Sequence, residues 1–174
     1  MILGTHNSWS YLPVIKWWMR PFLMFDKCQE VNIKTQYNRY GIRCFHININ
    51  FVNNKIAISN GFCKFKISEE EIIKQLEWID SRTDCYLFIT NGSRHLHRFA
   101  QLCERLEKEL KHTKVFGGYK EDDWSCKDYQ FKTNIPFIRM CSDIDPKSYA
   151  KYHNCLVKLP NYSNVVFIDY VNIC

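Results

Sequence analysis

No apolar run in the 174 residues approaches the ~20 that a membrane-spanning helix requires, because Lys16, Arg20 and Asp26 interrupt the most apolar stretch. That stretch also lacks a basic segment ahead of it and a small-residue cleavage site, so no signal peptide is expected. The nine cysteines include no C-x-x-C pair, and their odd number and scattered placement exclude a disulfide scaffold and a zinc ribbon. Reduced thiols and a cytoplasmic location follow as the expectation. A net charge of +6 admits an acidic partner, but it falls short of a nucleic-acid-binding signature. What remains, with 46% hydrophobic, 24% charged and 16% aromatic residues, is one globular domain spanning 1–174 with a core to bury.

The clearest helix begins at Ser68, where Ser68 and Glu71 form an S-x-x-E capping box ahead of Ile72, Ile73, Leu76 and Ile79. A second opens at Gly92 and Ser93 and carries Leu96, Phe99, Cys103, Leu106 and Leu110 on one stripe. A third runs from Asn32 as N-cap to Tyr40, ended by Gly41. Strand-like runs lie at Ile2–His6, Ile42–Val52, Lys55–Ser59, Cys85–Thr90, Lys114–Phe116 and Val165–Val171, with Asn53 and Asn54 marking a hairpin turn. Strands that alternate with helices predict a parallel β/α architecture with ligands at the C-terminal ends of the strands. The stretch from Gly117 to Pro160 has no consistent period.

Two strands carry polar residues that a covered sheet does not favour. In the second, one face reads Arg43, Phe45, Ile47, Ile49 and Phe51; the other reads Ile42, Cys44, His46, Asn48 and Asn50 and turns polar toward its C-terminal end. That row either lines a polar pocket or lies in water on a half-exposed strand. In the last strand Asp169 sits among Val165, Val166, Phe167, Ile168, Tyr170 and Val171. A buried carboxylate needs a cationic or hydrogen-bonding partner, for which a histidine is a good candidate; a strand-end acid capping nearby backbone is the other reading.

Leu3-Gly4-Thr5-His6-Asn7-Ser8, followed by Ile33-x-x-Gln36-x-x-x-x-Gly41-Ile42-Arg43-Cys44-Phe45, resembles the X-domain signature of phosphatidylinositol-specific phospholipase C and its bacterial relatives. The resemblance is strong over residues 2 to 61 and weaker at Phe116-Gly117-Gly118 through Trp124 and at Val166–Val171. It implies an α/β fold, a reduced or distorted parallel TIM-type barrel, since 174 residues falls below the ~200 of a full (β/α)8 barrel. In that family one histidine is the base toward the attacking hydroxyl, a second protonates the leaving group, and an arginine or calcium ion stabilises the phosphate charge. His6 matches the first histidine, and Asp169 resembles the carboxylate that orients it.

The chain departs from the family at the other positions. Asn60-Gly61 stands where a second histidine and glycine are found, and an amide neither gives nor takes a proton. His46 and Asn48 fill slots that are acid-x-acid in calcium-dependent members and Asp-x-Arg in bacterial ones. Asn7 matches a calcium ligand, yet only Thr90 or Asn91 stands where another acid is expected, so neither calcium nor any cofactor is expected.

By resemblance the site then comprises His6, His46 and Asp169 as catalytic-type groups and Asn7, Arg43, Asn48 and Asn60 as ligand-binding groups. One reading is a binder of a phosphodiester or phosphorylated small molecule, whether lipid headgroup, glycerophosphodiester or cyclic nucleotide, with little or no turnover. A second is an enzyme using His6 and His46 as acid and base. A third is a structural or partner-binding protein with a relic pocket. Trp9, Tyr11, Trp17, Trp18, Phe22, Leu23, Met24 and Phe25 cluster after His6 with Lys16 and Arg20. They are expected to pack over the barrel end, with peripheral membrane contact through Trp17, Trp18 and Phe22 as the alternative. His95 and His97, two apart on a helix, make a poor metal pair, and Cys44 and Cys63 read as core fillers.

Overall fold

The computed structural model describes residues 2–120, 131–133, 135–142, 144–154 and 165–173. Six strands run parallel. They are β1 (Ile2–Thr5), β2 (Cys44–Val52), β5 (Tyr86–Asn91), β6 (Lys114–Lys120), β7 (Phe137–Met140) and β8 (Val165–Ile168). The short strands β3 (Lys55–Asn60) and β4 (Cys63–Lys64) add an antiparallel flap to the far end of β2. The pairing gives the spatial order β6-β5-β2-β1-β8-β7, and among the described residues no pairing joins β6 to β7. The chain is thus an α/β fold whose curled, open, mixed sheet forms a reduced, distorted version of a parallel β/α barrel.

Helices fill the crossovers. After a 3-10 helix (Trp17–Phe22) and the one-turn α1 (Leu23–Asp26), α2 (Ile33–Tyr40) returns the chain to β2. The Asn32 side chain caps α2 by accepting from Thr35 N–H, and Gly41 closes it at φ 68°, a left-handed geometry that suits glycine. Ser68 caps α3 (Glu69–Asp80) by accepting from Glu71 N–H. α4 (Leu96–Glu109) starts later than Gly92 and Ser93 suggest, because Ser93 turns its hydroxyl to His95 N–H instead. The short β7 and α5 (Pro146–His153) lie in the stretch that has no sequence period; Trp124 lies outside the described residues. Asn53 and Asn54 make the β2–β3 turn at φ 48° and 65°, as expected for a two-residue hairpin.

Strand parity separates two cores. Outward-facing Phe45, Ile47, Ile49, Leu87, Ile89, Val115, Val166 and Ile168 pack under Ile33, Ile72, Leu76, Phe99 and Leu106 of the helices. Inward-facing Cys44, Phe88, Phe116, Val165 and Phe167 form a second cluster that includes Phe137. Phe88 is its hub, with ring centroids 4.9 Å from Phe116, 4.9 Å from Phe137 and 5.1 Å from Phe167. This aromatic floor fills the barrel interior next to His46, whose ring lies 5.2 Å from Phe88, and the polar residues further along the strands form a layer above it.

The aromatic segment after His6 divides. Trp9 is buried as expected, and Met19 is buried with it, but Trp17 is 79% exposed and Trp18, Met24, Phe25 and Phe62 also face outward. The expectation that these rings cover the barrel end therefore fails for Trp17 and Trp18. The 3-10 helix turns them away from the core, to which it contributes buried Met19 and half-buried Phe22.

Candidate functional site

The turn that follows β1 is fixed before any chemistry is considered. Thr5 Oγ1 donates to Gln36 Oε1 at 2.7 Å, and Gln36 Nε2 donates to the carbonyls of Ser8 and Val31 at 2.8 and 2.6 Å. Ser8 Oγ accepts the His46 N–H at 2.8 Å while Ser8 N–H donates to the His46 carbonyl at 2.9 Å. Between these anchors Asn7 takes a left-handed φ of 43°, which Asn tolerates better than most residues. The turn presents the His6 ring inward and the Asn7 N–H across to β2.

His6 and Asp169 meet because the first and last strands are neighbours. Nδ1 of His6 lies 2.8 Å from Oδ1 of Asp169, both groups buried. The other carboxylate oxygen accepts Ser142 N–H at 2.9 Å. Gln29 ties the two strand ends together, donating to the carbonyls of His6 and Ile168 and accepting from Val171 N–H. Asn154 holds the backbone beyond Asp169 by donating to the carbonyls of Asp169, Tyr170 and Ile173. The carboxylate fixes the His6 tautomer: the ring proton sits on Nδ1, and Nε2 is the lone-pair nitrogen. That nitrogen faces Asn7 Nδ2 at 3.0 Å, so the amide donates to it.

His46 is the reverse tautomer. Asn7 N–H donates to its Nδ1 at 3.1 Å, which places the proton on Nε2, facing Thr90 Oγ1 at 2.7 Å. Thr90 in turn donates to Asn48 Oδ1 at 3.1 Å, and Asn48 Nδ2 donates to the Ser59 carbonyl at 3.1 Å. A relay of defined direction thus runs from Asn7 to β3. Protonating His46 on Nδ1 would set two donors against each other. Burial pushes the His46 pKa well below its ordinary value, and the positive charge of Arg139, joined by that of His6 whenever that ring is protonated, pushes the same way. The two imidazoles stack, with centroids 5.3 Å apart and planes 11° from parallel.

Asn60, at the end of β3, donates from Nδ2 to the Asp26 carbonyl at 2.7 Å and to Cys28 Sγ at 3.4 Å. Cys28 Sγ, a His6 ring nitrogen and an Asp169 oxygen all lie within 4.8 Å of one another. Two participants carry no signal in the sequence motifs. Cys28 is a lone cysteine in an irregular segment. Arg139 sits beside Phe167 in register, two residues beyond the inward-facing Phe137, with its Nε buried and its charge felt by His46. Alternation within Phe137–Met140 is the clue that finds it.

The structure therefore brings together His6, Asn7, His46 and Asp169 directly, Asn48 through Thr90, and Asn60 through Cys28. Arg43 is a correction: it lies on the outward face just before β2, where Nε donates to Asp84 Oδ2 at 2.6 Å and the guanidinium covers the Tyr37 ring at 3.9 Å. Strand parity alone keeps it out of the barrel interior. The acid or base role expected of His46 finds both ring nitrogens engaged by the protein, and the same holds for His6. Two cavities lined by described residues, about 650 Å³ beside Tyr11, Lys34 and Trp78 and about 770 Å³ beside Ile56, Glu69 and Arg105, lie outside this layer. No helix among the described residues is long and apolar enough to cross a membrane.

No protein family matches the chain, and no curated protein does. Among solved structures it is similar to the phosphatidylinositol-specific phospholipase C from Listeria monocytogenes, with a TM-score of 0.64 and 13% identity over 97% of this chain and 87% of that one. At that identity the likeness is one of fold: this chain has a divergent, reduced phospholipase C-like phosphodiesterase fold.

Proposed function

We propose that the chain binds a phosphodiester or a phosphorylated small molecule, such as a lipid headgroup, in the polar layer above the aromatic floor, with little or no turnover. One observation carries this reading: all four ring nitrogens of His6 and His46 are committed to hydrogen bonds within the protein. A general base needs a lone pair within reach of the substrate hydroxyl, and a general acid needs a proton to give. Asn7 Nδ2 donates to the lone pair of His6, and the His46 ring proton is held in a hydrogen bond that Thr90 Oγ1 accepts. The Arg139 guanidinium places a positive charge beside this layer, which suits the holding of a phosphate and is not a proton-transfer group.

Exposed Trp17 and Trp18, next to Lys16 and Arg20, support a ligand presented at a surface, with peripheral membrane contact through Trp17, Trp18 and Phe22. Phe22 packs on Phe62 at 5.2 Å, and Phe62 follows Asn60 by two residues, so this patch adjoins the Cys28 and Asn60 side of the polar layer.

The test pairs binding with consumption. Inorganic phosphate, inositol 1-phosphate and glycerophosphoinositol are titrated calorimetrically, and phosphorus NMR follows phosphatidylinositol and glycerophosphoinositol over time. The expected result is saturable binding that Arg139→Gln weakens, with no product above the uncatalysed background. Steady product formation that His6→Ala abolishes overturns the reading in favour of an enzyme; no binding to any probe overturns it in favour of a relic pocket.

A further inference from the structure

We propose that His6, Cys28 and Asp169 form a binding site for a borderline-soft divalent ion of the zinc type. An imidazole nitrogen, a thiol sulfur and a carboxylate oxygen lie within 4.8 Å of one another, all in buried residues. Nitrogen, sulfur and oxygen donors in one place select zinc-like ions over calcium and magnesium, which prefer oxygen sets. Bond lengths of about 2.0–2.3 Å to zinc in a tetrahedral set imply ligand separations of roughly 3.3–3.7 Å, so the His6 and Asp169 atoms, now 2.8 Å apart, part slightly to admit the ion.

Three further features point the same way. First, a buried amide aims an N–H bond at the Cys28 sulfur, from Asn60 at 3.4 Å. Donors directed at sulfur stabilise a thiolate and hold a metal ligand in place. Second, Asn7 Oδ1 is buried with no hydrogen-bond partner among the described residues, a cost that needs a reason. Third, the charges balance. One thiolate, one carboxylate and a neutral imidazole around a dication leave no net charge, which a buried site tolerates best.

The proton inventory of binding is explicit. Cys28 gives up its thiol proton to solvent, which the metal makes possible although burial and the Asp169 charge otherwise hold this thiol well above its ordinary pKa. The His6 ring proton moves from Nδ1 to Nε2, freeing the Nδ1 lone pair for the ion. Turning over the Asn7 amide then places Oδ1 where Nδ2 now stands, 3.0 Å from Nε2, to accept that proton. The orphaned oxygen gains its partner, and the ligating histidine gains the outer hydrogen bond that such histidines usually make.

The experiment uses the whole chain, stripped with a chelator and titrated with Co(II) in the absence of any phosphate ester. Its outcome is thereby separate from that of the binding proposal above. Wild type is expected to take one equivalent, with a thiolate-to-cobalt charge-transfer band in the near ultraviolet and tetrahedral bands in the visible, all removed by added Zn(II). Cys28→Ser is expected to lose the charge-transfer band, Cys141→Ser to keep it, and Asn60→Ala to weaken binding by about tenfold. Circular dichroism establishes that each variant is folded. Absence of the band in wild type, or its persistence in folded Cys28→Ser, overturns the proposal.

Discussion

Nδ1 of His6 and Oδ1 of Asp169 are 2.8 Å apart although 163 residues separate them in the chain. Parallel pairing of β1 with β8, Thr5 opposite Ile168, makes this possible by placing the residue after each strand at the same barrel rim. Asp169 serves two donors, His6 Nδ1–H and Ser142 N–H. Asp169→Ala leaves both without an acceptor, and a buried donor left unsatisfied costs about 1–3 kcal/mol. A loss of at least about 2 kcal/mol is expected, read as a lower urea midpoint at unchanged m. An unchanged midpoint would show that the pair holds nothing together.

The relay through His46 sets a pH dependence. His46 is kept neutral by burial and by the positive charge of Arg139, so its folded pKa lies below the 6.5 of the unfolded chain. Between the two values the unfolded state binds the extra proton, so stability rises with pH there. This contribution is fully present above pH 6.5 and is lost as pH falls toward the folded pKa. Urea midpoints measured from pH 7.5 down to pH 5 are expected to fall, and His46→Gln to flatten that slope. Nitrogen shifts of the ring should report a neutral imidazole protonated on Nε2; an imidazolium at pH 6 contradicts the relay.

How much of this was legible in the sequence differs by residue. The parity of Cys44–Val52 correctly separates inward His46 and Asn48 from outward Phe45, Ile47 and Ile49, because a period of two survives any fold that covers one face. The same parity excludes Arg43, which the resemblance alone had placed with the ligand-binding groups. The fate of the ring nitrogens is not legible. It depends on the left-handed Asn7, whose N–H reaches a ring 39 residues away. β7 escapes notice because its alternation spans only four residues, too few to stand out in a stretch with no consistent period. The start of α5 is written locally, with Asp145 accepting from Ser148 N–H ahead of Pro146.

Gly92 and Asn48 make a second test of the relay. A Cβ on Gly92 would lie 2.6 Å from Asn48 Nδ2, closer than atoms approach without a shift. Gly92→Ala must therefore move the Asn48 amide off the Ser59 carbonyl or displace the backbone after β5. Overpacking of this kind costs about 1–3 kcal/mol, and the denaturation midpoint is expected to fall accordingly. A change within ~0.5 kcal/mol, the range of ordinary surface substitutions, would mean that the end of the relay is loose.

Trp17 and Trp18 extend the argument from the site to its surroundings. Large aromatic side chains exposed beside Lys16 and Arg20 combine apolar contact with charge, and the two contributions respond to different variables. Cosedimentation with vesicles of neutral phosphatidylcholine, alone or mixed with phosphatidylserine, is expected to favour the anionic mixture and to weaken as salt rises. Each basic residue near an anionic surface contributes about 1 kcal/mol, so Arg20→Gln is expected to weaken the anionic binding by roughly fivefold. Replacing both tryptophans with alanine should remove the part of the binding that salt does not affect. Neither side chain belongs to the buried core, so the melting temperature is expected to stay unchanged. Equal binding of wild type and the double variant would assign these rings to some contact other than a lipid surface.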